Sequence, residues 1–376
     1  SNRGIIKHSS GQRTDKLVIF MGNTKIYEKH EKCKNNREEL AMNKPPNDKE
    51  SMKVEAEDLR RFSAQCLQSS GMNELHAVEL ADLLTKSDLR GVRSHGTRAL
   101  PGYCRVLTEK RANATPDIKI IRETDTSIFV DGDGGLGYAP TMLATEKVIK
   151  KAKQKGIAVG GIRCIGHYGS AGHYVHRAME EKCTAYSVQG AYPQYYPSNK
   201  DKRAATYGNP PLCFGFPGEE GAPVVLDGAT CILADYQRGE DFEKLESQIP
   251  AAFFKSIGYT AIGTLLGGAF VGLADKRAVS IKERWPAARL GGLVVVMDLG
   301  LFTKSEEVSR GVDEMNRLAA EEMVPVSGYQ ETTLPGTIEY RNTKEYKRDG
   351  IPIGIQDLNR LQECGNNLGV ELPWKI

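Results

Sequence analysis

Apolar residues recur at helical spacing towards both ends of the chain and form short continuous runs in its middle. Residues 54–110 carry leucine, alanine and valine every three or four positions, and Asn73 stands where a helix N-cap is favoured. Further helical patterns cover 139–156, 169–182, 257–273, 304–323 and 349–369. Strand-like runs cover 118–123, 126–132, 157–163, 184–190, 222–229 and 291–302. This order predicts an α/β fold with strands in the middle and helices at both ends.

The first 51 residues differ from the rest, because they are polar, basic early on, and without sustained periodicity. They predict a disordered extension, or alternatively a mitochondrial presequence, with structured sequence beginning at Met52. We expect a cytoplasmic protein, or a mitochondrial one if residues 1–51 are a presequence.

Composition narrows the classes of partner. The chain has 376 residues, a net charge of +3 and eight cysteines without a C-x-x-C pair. The near balance of charge gives no reason to expect nucleic-acid binding, and scattered cysteines suit reduced thiols. No apolar run reaches the roughly 18 residues of a membrane span, and residues 261–274 are predicted to form a buried helix.

The first candidate for chemistry is Ser94-His95-Gly96, which interrupts a helical pattern. An imidazole beside a hydroxyl, between Arg93 and Arg98, is either a solvated structural histidine or a proton donor and acceptor. The residues of this stretch do not decide between the two.

Gly132, Gly134 and Gly137 form G-x-G-x-x-G between a predicted strand and a predicted helix. This spacing matches the dinucleotide fingerprint of Rossmann folds. However, Asp131 and Asp133 place carboxylates where phosphates would lie, and no acidic residue follows at the expected strand end. An ordinary glycine-rich turn is the preferred interpretation.

Residues 164–180 hold three histidines, His167, His173 and His176. They could bind zinc, but no acidic or cysteine ligand stands nearby. The glycine-rich stretch before the helix is better suited to presenting backbone N–H groups and an imidazole to a phosphate or carboxamide. Asp227 ends an apolar strand, where it is either a functional carboxylate or a turn cap.

From Met52 onward the chain resembles the type-2 malate/L-lactate dehydrogenase family, which also includes ureidoglycolate, sulfolactate and 2,3-diketogulonate oxidoreductases and a cyclic-imine reductase. The matching stretches are residues 81–103, 130–178, 207–217, 224–230 and 350–354. The resemblance implies a non-Rossmann fold, with helical N- and C-terminal parts around a central mixed-sheet cofactor domain. It also implies NAD or NADP as cofactor, a small 2-hydroxy or 2-oxo acid as substrate, and a homodimer.

The resemblance further assigns roles to individual residues. His95 would protonate the substrate oxygen, Ser94 and Asp227 would orient and polarise His95, and Arg98 would bind the substrate carboxylate. The cofactor would contact His167, Tyr168, Gly169, Ser170 and Ala171. No metal is expected.

By the same resemblance, residues 52–125 with 285–376 would form the helical substrate and dimerisation domain, and residues 126–284 the cofactor domain.

The sequence departs from the family pattern at several places. The pattern Ser-His-Gly-x-x-Arg has Ala99 at its last position, with Arg98 one place early. Gly190-Ala191, Tyr207 and Cys231 replace the usual residues. The segment after Asp227 is shorter, and Lys255 lies two places before Ile257, which aligns with the motif lysine. These departures keep a second hypothesis open, a catalytically impaired member with a binding or assembly role.

Overall fold

A computed structural model describes residues 51–193, 209–232 and 240–374. The elements in chain order are β1 (Ser51–Val54), α1 (Ala56–Ser69), α2 (Glu74–Leu89), α3 (Leu100–Thr108), β2 (Lys119–Glu123), β3 (Ser127–Asp131), α4 (Tyr138–Lys155), β4 (Ile157–Ile165), α5 (Gly172–Glu180), β5 (Cys183–Ala191), β6 (Pro211–Phe216), β7 (Val224–Ala229), α6 (Glu240–Gln248), α7 (Pro250–Thr264), α8 (Lys276–Arg284), β8 (Leu290–Asp298), α9 (Ser305–Glu322), α10 (Thr337–Asp349), β9 (Ile351–Gly354) and α11 (Ile355–Leu368). The predicted extension falls almost wholly outside these residues.

Seven strands form one mixed sheet in the order β2-β3-β4-β8-β5-β6-β7. Only β3 and β4 run parallel, and the other neighbours are antiparallel. The central strands β4 and β8 are the most apolar ones, as expected for strands covered on both faces. The prediction of a mixed central sheet with helices before and after it is confirmed.

Helices cover both faces of this sheet. A side chain at Gly160 would touch Ala144 and Val148 of α4, whereas one at the next residue, Gly161, would touch Phe129 and Val271. Since successive strand residues point to opposite faces, α4 covers one face and the segment after α7 covers the other. The helix α5 packs on β5 and β6.

The helical part has its own core, which contains buried side chains from α1, α2, α3 and α11 and from the β1–β9 pair. The sheet and the helices α4 and α5 share a second core. The residue boundaries predicted for the two domains stay a prediction.

Gly190, one of the departures from the family pattern, lies where β5 meets the π-helical turn Leu265–Ala269. A Cβ at Gly190 would lie 2.6 Å from the carbonyl oxygen of Gly263, and one at Gly267 would lie 2.3 Å from the nitrogen of Gly190. The glycines therefore let two backbones touch, which a larger residue at 190 would prevent.

Several predictions about elements were wrong or incomplete. Strand β6 and the helices α6, α8 and α10 were not expected, and residues 351–354, predicted as the start of a helix, form β9. The apolar segment predicted as a buried helix has an exposed face. Among the described residues no single helix is long and apolar enough to cross a bilayer. The two segments Phe242–Gln248 and Pro250–Ala269 pass that test only as a pair bent by 102°.

Candidate active site

The segment that carries His95 follows α2. It begins at Gly91, whose φ of +79° favours glycine. Two single 3₁₀ turns follow, Arg93–His95 and Thr97–Ala99, before α3 starts. The Ser94 hydroxyl lies 3.0 Å from His95 Nδ1. Ser94 is exposed and His95 half-buried, so the break in the helix presents the imidazole at the protein surface.

The buried carboxylate of Asp88 holds this turn in place. Asp88 Oδ2 accepts hydrogen bonds from the backbone N–H of Thr97 (2.8 Å) and from its hydroxyl (2.6 Å). Burial raises the pKa of Asp88 to about 7. The same carboxylate lies against Gly96, where a Cβ would come 1.8 Å from Asp88 Oδ1. Glycine is required at 96 for space.

His167 lies beside His95. Their rings are stacked with centroids 5.8 Å apart and planes inclined by 23°. His167 belongs to the loop between β4 and α5 and is exposed. Its Nδ1 lies 2.7 Å from the Tyr103 hydroxyl and accepts from the Gly169 N–H at 3.3 Å.

Asp227, on β7, contacts residues at the start of α5. Its Oδ2 accepts from the Ser170 hydroxyl and, at 3.0 Å, from the Gly172 N–H. The carboxylate therefore caps the N-terminus of α5, and its charge acts on His95. Its predicted role in orienting His95 stays a prediction.

The two imidazoles differ in protonation. Burial lowers the pKa of His95, and the Asp227 charge opposes that shift. Although solvent reaches His167, the surrounding protein lowers its pKa to about 4, and His95 contributes to this lowering. At neutral pH His167 is neutral, and His95 is the imidazole of this pair that takes up a proton first on acidification.

The stretch predicted to contact the cofactor is only partly accessible. The side chains of Tyr168, Ser170 and Ala171 are buried, and Tyr168 packs inward with its hydroxyl 3.2 Å from Ser187 Oγ. Of the five predicted residues, His167 is the one whose side chain solvent reaches.

Arg98 lies beside α11. Its Nε lies 3.5 Å from Asp357 Oδ1 on that helix, and about half of its side chain is exposed. Its role in binding a substrate carboxylate stays a prediction.

A second cation, Arg90, was missed by the sequence analysis. Its Nη2 lies 3.3 Å from His173 Nδ1, and it is in electrostatic range of Asp227. Among the described residues no carboxylate lies within ion-pair distance of it. Arg90 also lines a cavity of about 590 Å³ between α2, α5 and α10. Its position at the end of α2, just before the His95 turn, was the available signal.

The histidine cluster does not form a metal centre in the part of the chain described. His173 is buried between Arg90 and the Ser87 hydroxyl, which lies 3.5 Å from Nε2. No three histidine, cysteine, aspartate or glutamate side chains of the described ranges are arranged to hold a metal ion.

The glycine motif at 132–137 has a structural role. Arg163 pairs with Asp131 at 3.1 Å and Arg277 with Asp133 at 2.8 Å, so both carboxylates are engaged. A Cβ at Gly137 would lie 2.6 Å from the Cβ of Tyr168. This glycine serves close packing of α4 on the 166–171 loop, as expected for an ordinary turn.

Cys231, one of the departures from the family pattern, lies in a set of hydrogen bonds between β7 and α7. The Asn209 side chain accepts from the Cys231 N–H at 2.9 Å, and Cys231 Sγ lies 3.9 Å from Thr260 Oγ1. Ser256 donates to the Thr230 carbonyl at 2.6 Å. These contacts join the end of β7 to α7. Tyr207 lies outside the described residues.

Comparisons with known proteins place this geometry in one family. The family model "Malate/L-lactate dehydrogenase" matches residues 54–240, and so ends near the point where the sequence departs from the family pattern. The L-sulfolactate dehydrogenase of Methanocaldococcus jannaschii is 31% identical over 85% of this chain and 98% of its own length. The NAD⁺-linked ureidoglycolate dehydrogenase of Escherichia coli O157:H7 is 25% identical over 80% of this chain and 93% of its own length.

Solved structures agree on the fold. The malate dehydrogenase of Pyrococcus horikoshii superposes with a TM-score of 0.71 at 24% identity, covering 87% of this chain and 99% of that one. The sulfolactate dehydrogenase of M. jannaschii gives 0.67 at 29% identity, covering 85% and 98%. The chain belongs to the malate/L-lactate dehydrogenase family.

Proposed function

We propose that this protein is an NAD(P)-dependent oxidoreductase that interconverts a small 2-hydroxy acid and the matching 2-oxo acid. The observation that carries the proposal is that His95 stacks on His167 within the field of Asp227. The relatives named as sulfolactate, malate and ureidoglycolate dehydrogenases support the substrate class.

The residues present fit a nicotinamide cofactor in charge. Arg90, in electrostatic range of Asp227, supplies a cation for an anionic group. The cavity of about 590 Å³ that Arg90 also lines has neither His95 nor His167 in its lining, so it is a neighbouring space. His167 supplies an exposed ring beside His95. When bound, the reduced nicotinamide supplies a hydride to the carbonyl carbon of the substrate.

His95 handles the proton. In reduction its imidazolium donates to the substrate oxygen, and in oxidation the neutral ring removes the hydroxyl proton. Because burial lowers the pKa of His95, the ring is neutral over most of the neutral range and is ready to act as the base in oxidation. Ser94, 3.0 Å from Nδ1, orients the ring.

Asp227→Asn should move the pH profile of kcat/KM. Removing the negative charge lowers the pKa of His95 further. The part of the kcat/KM profile that follows the titration of His95 should therefore shift to lower pH, in both directions of the reaction. Ser170→Ala is the matched control, because it removes one hydrogen bond to Asp227 and keeps the charge. A profile that stays in place or moves to higher pH in Asp227→Asn would contradict this role.

Fluorescence titration with NADH and NADPH, followed by turnover assays with L-malate, L-sulfolactate and ureidoglycolate, tests the proposed function. We expect one nucleotide to bind in the range up to roughly 1 mM and to support oxidation of at least one acid. If neither nucleotide binds, the enzyme proposal is wrong and the non-catalytic hypothesis is favoured.

We further propose a homodimer in which α7 contributes to the interface. Phe254 and Ile262 on this helix and Leu265 directly after it lie at helical spacing, with 75%, 53% and 48% of their surfaces exposed, and Phe270 follows. Such a contiguous apolar face is typical of protein interfaces.

Ile262→Asp should therefore convert the dimer to monomer, as measured by light scattering after size-exclusion chromatography. Phe302→Asp, at a position 93% exposed in the turn after β8, should leave the mass unchanged. A wild-type protein that is monomeric, or an Ile262→Asp protein that stays dimeric, would contradict the proposal.

A further inference from the structure

Two buried tyrosines form a hydroxyl chain that ends on His167. Tyr138, the first residue of α4, donates to the Tyr103 hydroxyl at 2.8 Å. The Tyr103 hydroxyl in turn lies 2.7 Å from His167 Nδ1. Both tyrosines are buried, with 2% and 7% of their surfaces exposed. The chain thus runs from the protein interior to the exposed ring of His167.

The direction of this chain follows from its donors. Because Tyr138 donates to the Tyr103 oxygen, the Tyr103 proton is available for His167 Nδ1. The Gly169 N–H, 3.3 Å from the same nitrogen, can only donate. Nδ1 is therefore an acceptor, and the proton of a neutral His167 resides on Nε2.

The loop geometry supports this arrangement. Gly169 has a φ of +81°, and a Cβ there would lie 2.5 Å from the Tyr138 hydroxyl. The glycine turn thus directs its N–H to Nδ1 and leaves room for the tyrosine. Burial also raises the pKa of Tyr103 to about 12, so this hydroxyl keeps its proton at neutral pH.

We propose that Tyr103, whose hydroxyl accepts from Tyr138, is a positioning residue that holds His167 as the neutral Nε2–H tautomer, so that His167 donates to an oxygen of the ligand beside His95. The ligand oxygen belongs to a carboxamide or to a 2-oxo acid, and this part rests on the proposed function. A neutral His167 also leaves His95 free to carry the proton, because two stacked imidazolium rings would repel each other.

The Tyr138–Tyr103–His167 hydrogen bonds resemble the arrangement by which other enzymes fix the tautomer of a catalytic histidine through a second hydrogen bond. What differs here is that neutral hydroxyls do this, so His167 is oriented without gaining a proton. The consequence can be measured in the protein without any ligand.

The test is the tautomer of His167, measured by ¹⁵N NMR of the full-length protein labelled at histidine. We expect the Nε2–H form in the wild type and in Tyr138→Phe, which keeps the Tyr103 hydroxyl next to Nδ1. In Tyr103→Phe the chemical shifts should move towards a mixture of tautomers, and kcat should fall roughly 10- to 100-fold with a smaller change in KM. Both variants retain the aromatic ring, and thermal denaturation will verify that they fold.

A wild-type His167 in the Nδ1–H form would overturn the proposal, as would a Tyr103→Phe protein with wild-type shifts. Equal losses of kcat in both variants would also contradict it, because a merely structural role would not distinguish them. Titration with NADH alone and with oxamate alone separates the two sources of the ligand oxygen, by showing which one shifts the Nε2 signal. A wild-type protein without dehydrogenase activity but with the predicted tautomer would contradict the proposed function instead.

Discussion

His95→Asn should lower kcat for oxidation of the hydroxy acid by about 10²- to 10⁴-fold, the range expected when a general base is removed. Nucleotide binding should change little, because asparagine keeps a polar side chain and the ring of His167 stays in place. His95 is half-buried in a surface turn, so the substitution should not unfold the protein. Steady-state kinetics with parallel nucleotide titration measure both effects.

His76→Asn is the matched control for this experiment. His76 lies in the first turn of α2, where its Nδ1 contacts the Asn73 side chain at 2.9 Å. We expect kcat of this variant to equal that of the wild type. If His95→Asn keeps most of its activity, or if His76→Asn loses as much, then His95 is not the group that moves the proton.

Gly96→Ala should destabilise the protein by roughly 3 kcal/mol, because the new methyl group would overlap a buried carboxylate. A Cβ at this position would lie 1.8 Å from Asp88 Oδ1 and 2.4 Å from its Cγ. Asp88 cannot move away without losing two hydrogen bonds from Thr97. The backbone of Gly96 is extended, so the effect comes from space and not from conformational strain. Urea denaturation measures the change in free energy of unfolding.

The control for this variant is Gly102→Ala, in α3 a few residues along the chain. Nothing lies within 4 Å of a Cβ at Gly102. Because alanine is the better helix former, we expect this variant to be unchanged or stabilised by up to about 1 kcal/mol. Equal stability of the two alanine variants would show that Asp88 does not fix the turn as described, and activity should fall in Gly96→Ala alone.

Local features of the fold could be predicted from the sequence because they depend on neighbouring residues. Asn73 caps α2 by accepting from the His76 N–H, as its position before the apolar pattern indicated. The apolar run of β8 is buried on both faces over Gly291–Val294, as such runs predict, whereas β4 alternates between buried and half-buried residues. By contrast, β6 begins at a proline and has two exposed phenylalanines, Phe214 and Phe216, so its pattern does not resemble a buried strand.

The exposed face of α7 shows a second feature that the sequence could not predict. An apolar segment of this length predicts a buried helix, but its composition cannot tell what buries it. In the single chain Ile262 and Leu265 are half exposed, which is consistent with burial by a second copy. Hydrophobicity alone does not separate a core from an interface.

The sequence named candidate site residues but not the contacts between them. The helix break at Ser94-His95 left a structural histidine and a proton donor both open, and the family resemblance supplied the expected role. The support from Tyr103 could not be inferred, because 64 residues separate it from His167 in sequence. Arg98 was predicted from a motif, and its contact with Asp357 could not be inferred from that motif. Its role towards a substrate stays a prediction.

Transfer of deuterium is the measurement that tests the central claim most directly. The protein would be incubated with NAD⁺ or NADP⁺ and 2-deuterated L-malate, L-lactate or L-sulfolactate, and the nicotinamide would be analysed by NMR and mass spectrometry. The account predicts that with one of these acids the deuterium appears at C4 of the reduced nicotinamide, and that His95→Asn abolishes the transfer. Deuterium that appears in water or nowhere, with every acid and both nucleotides, would contradict hydride transfer by this protein.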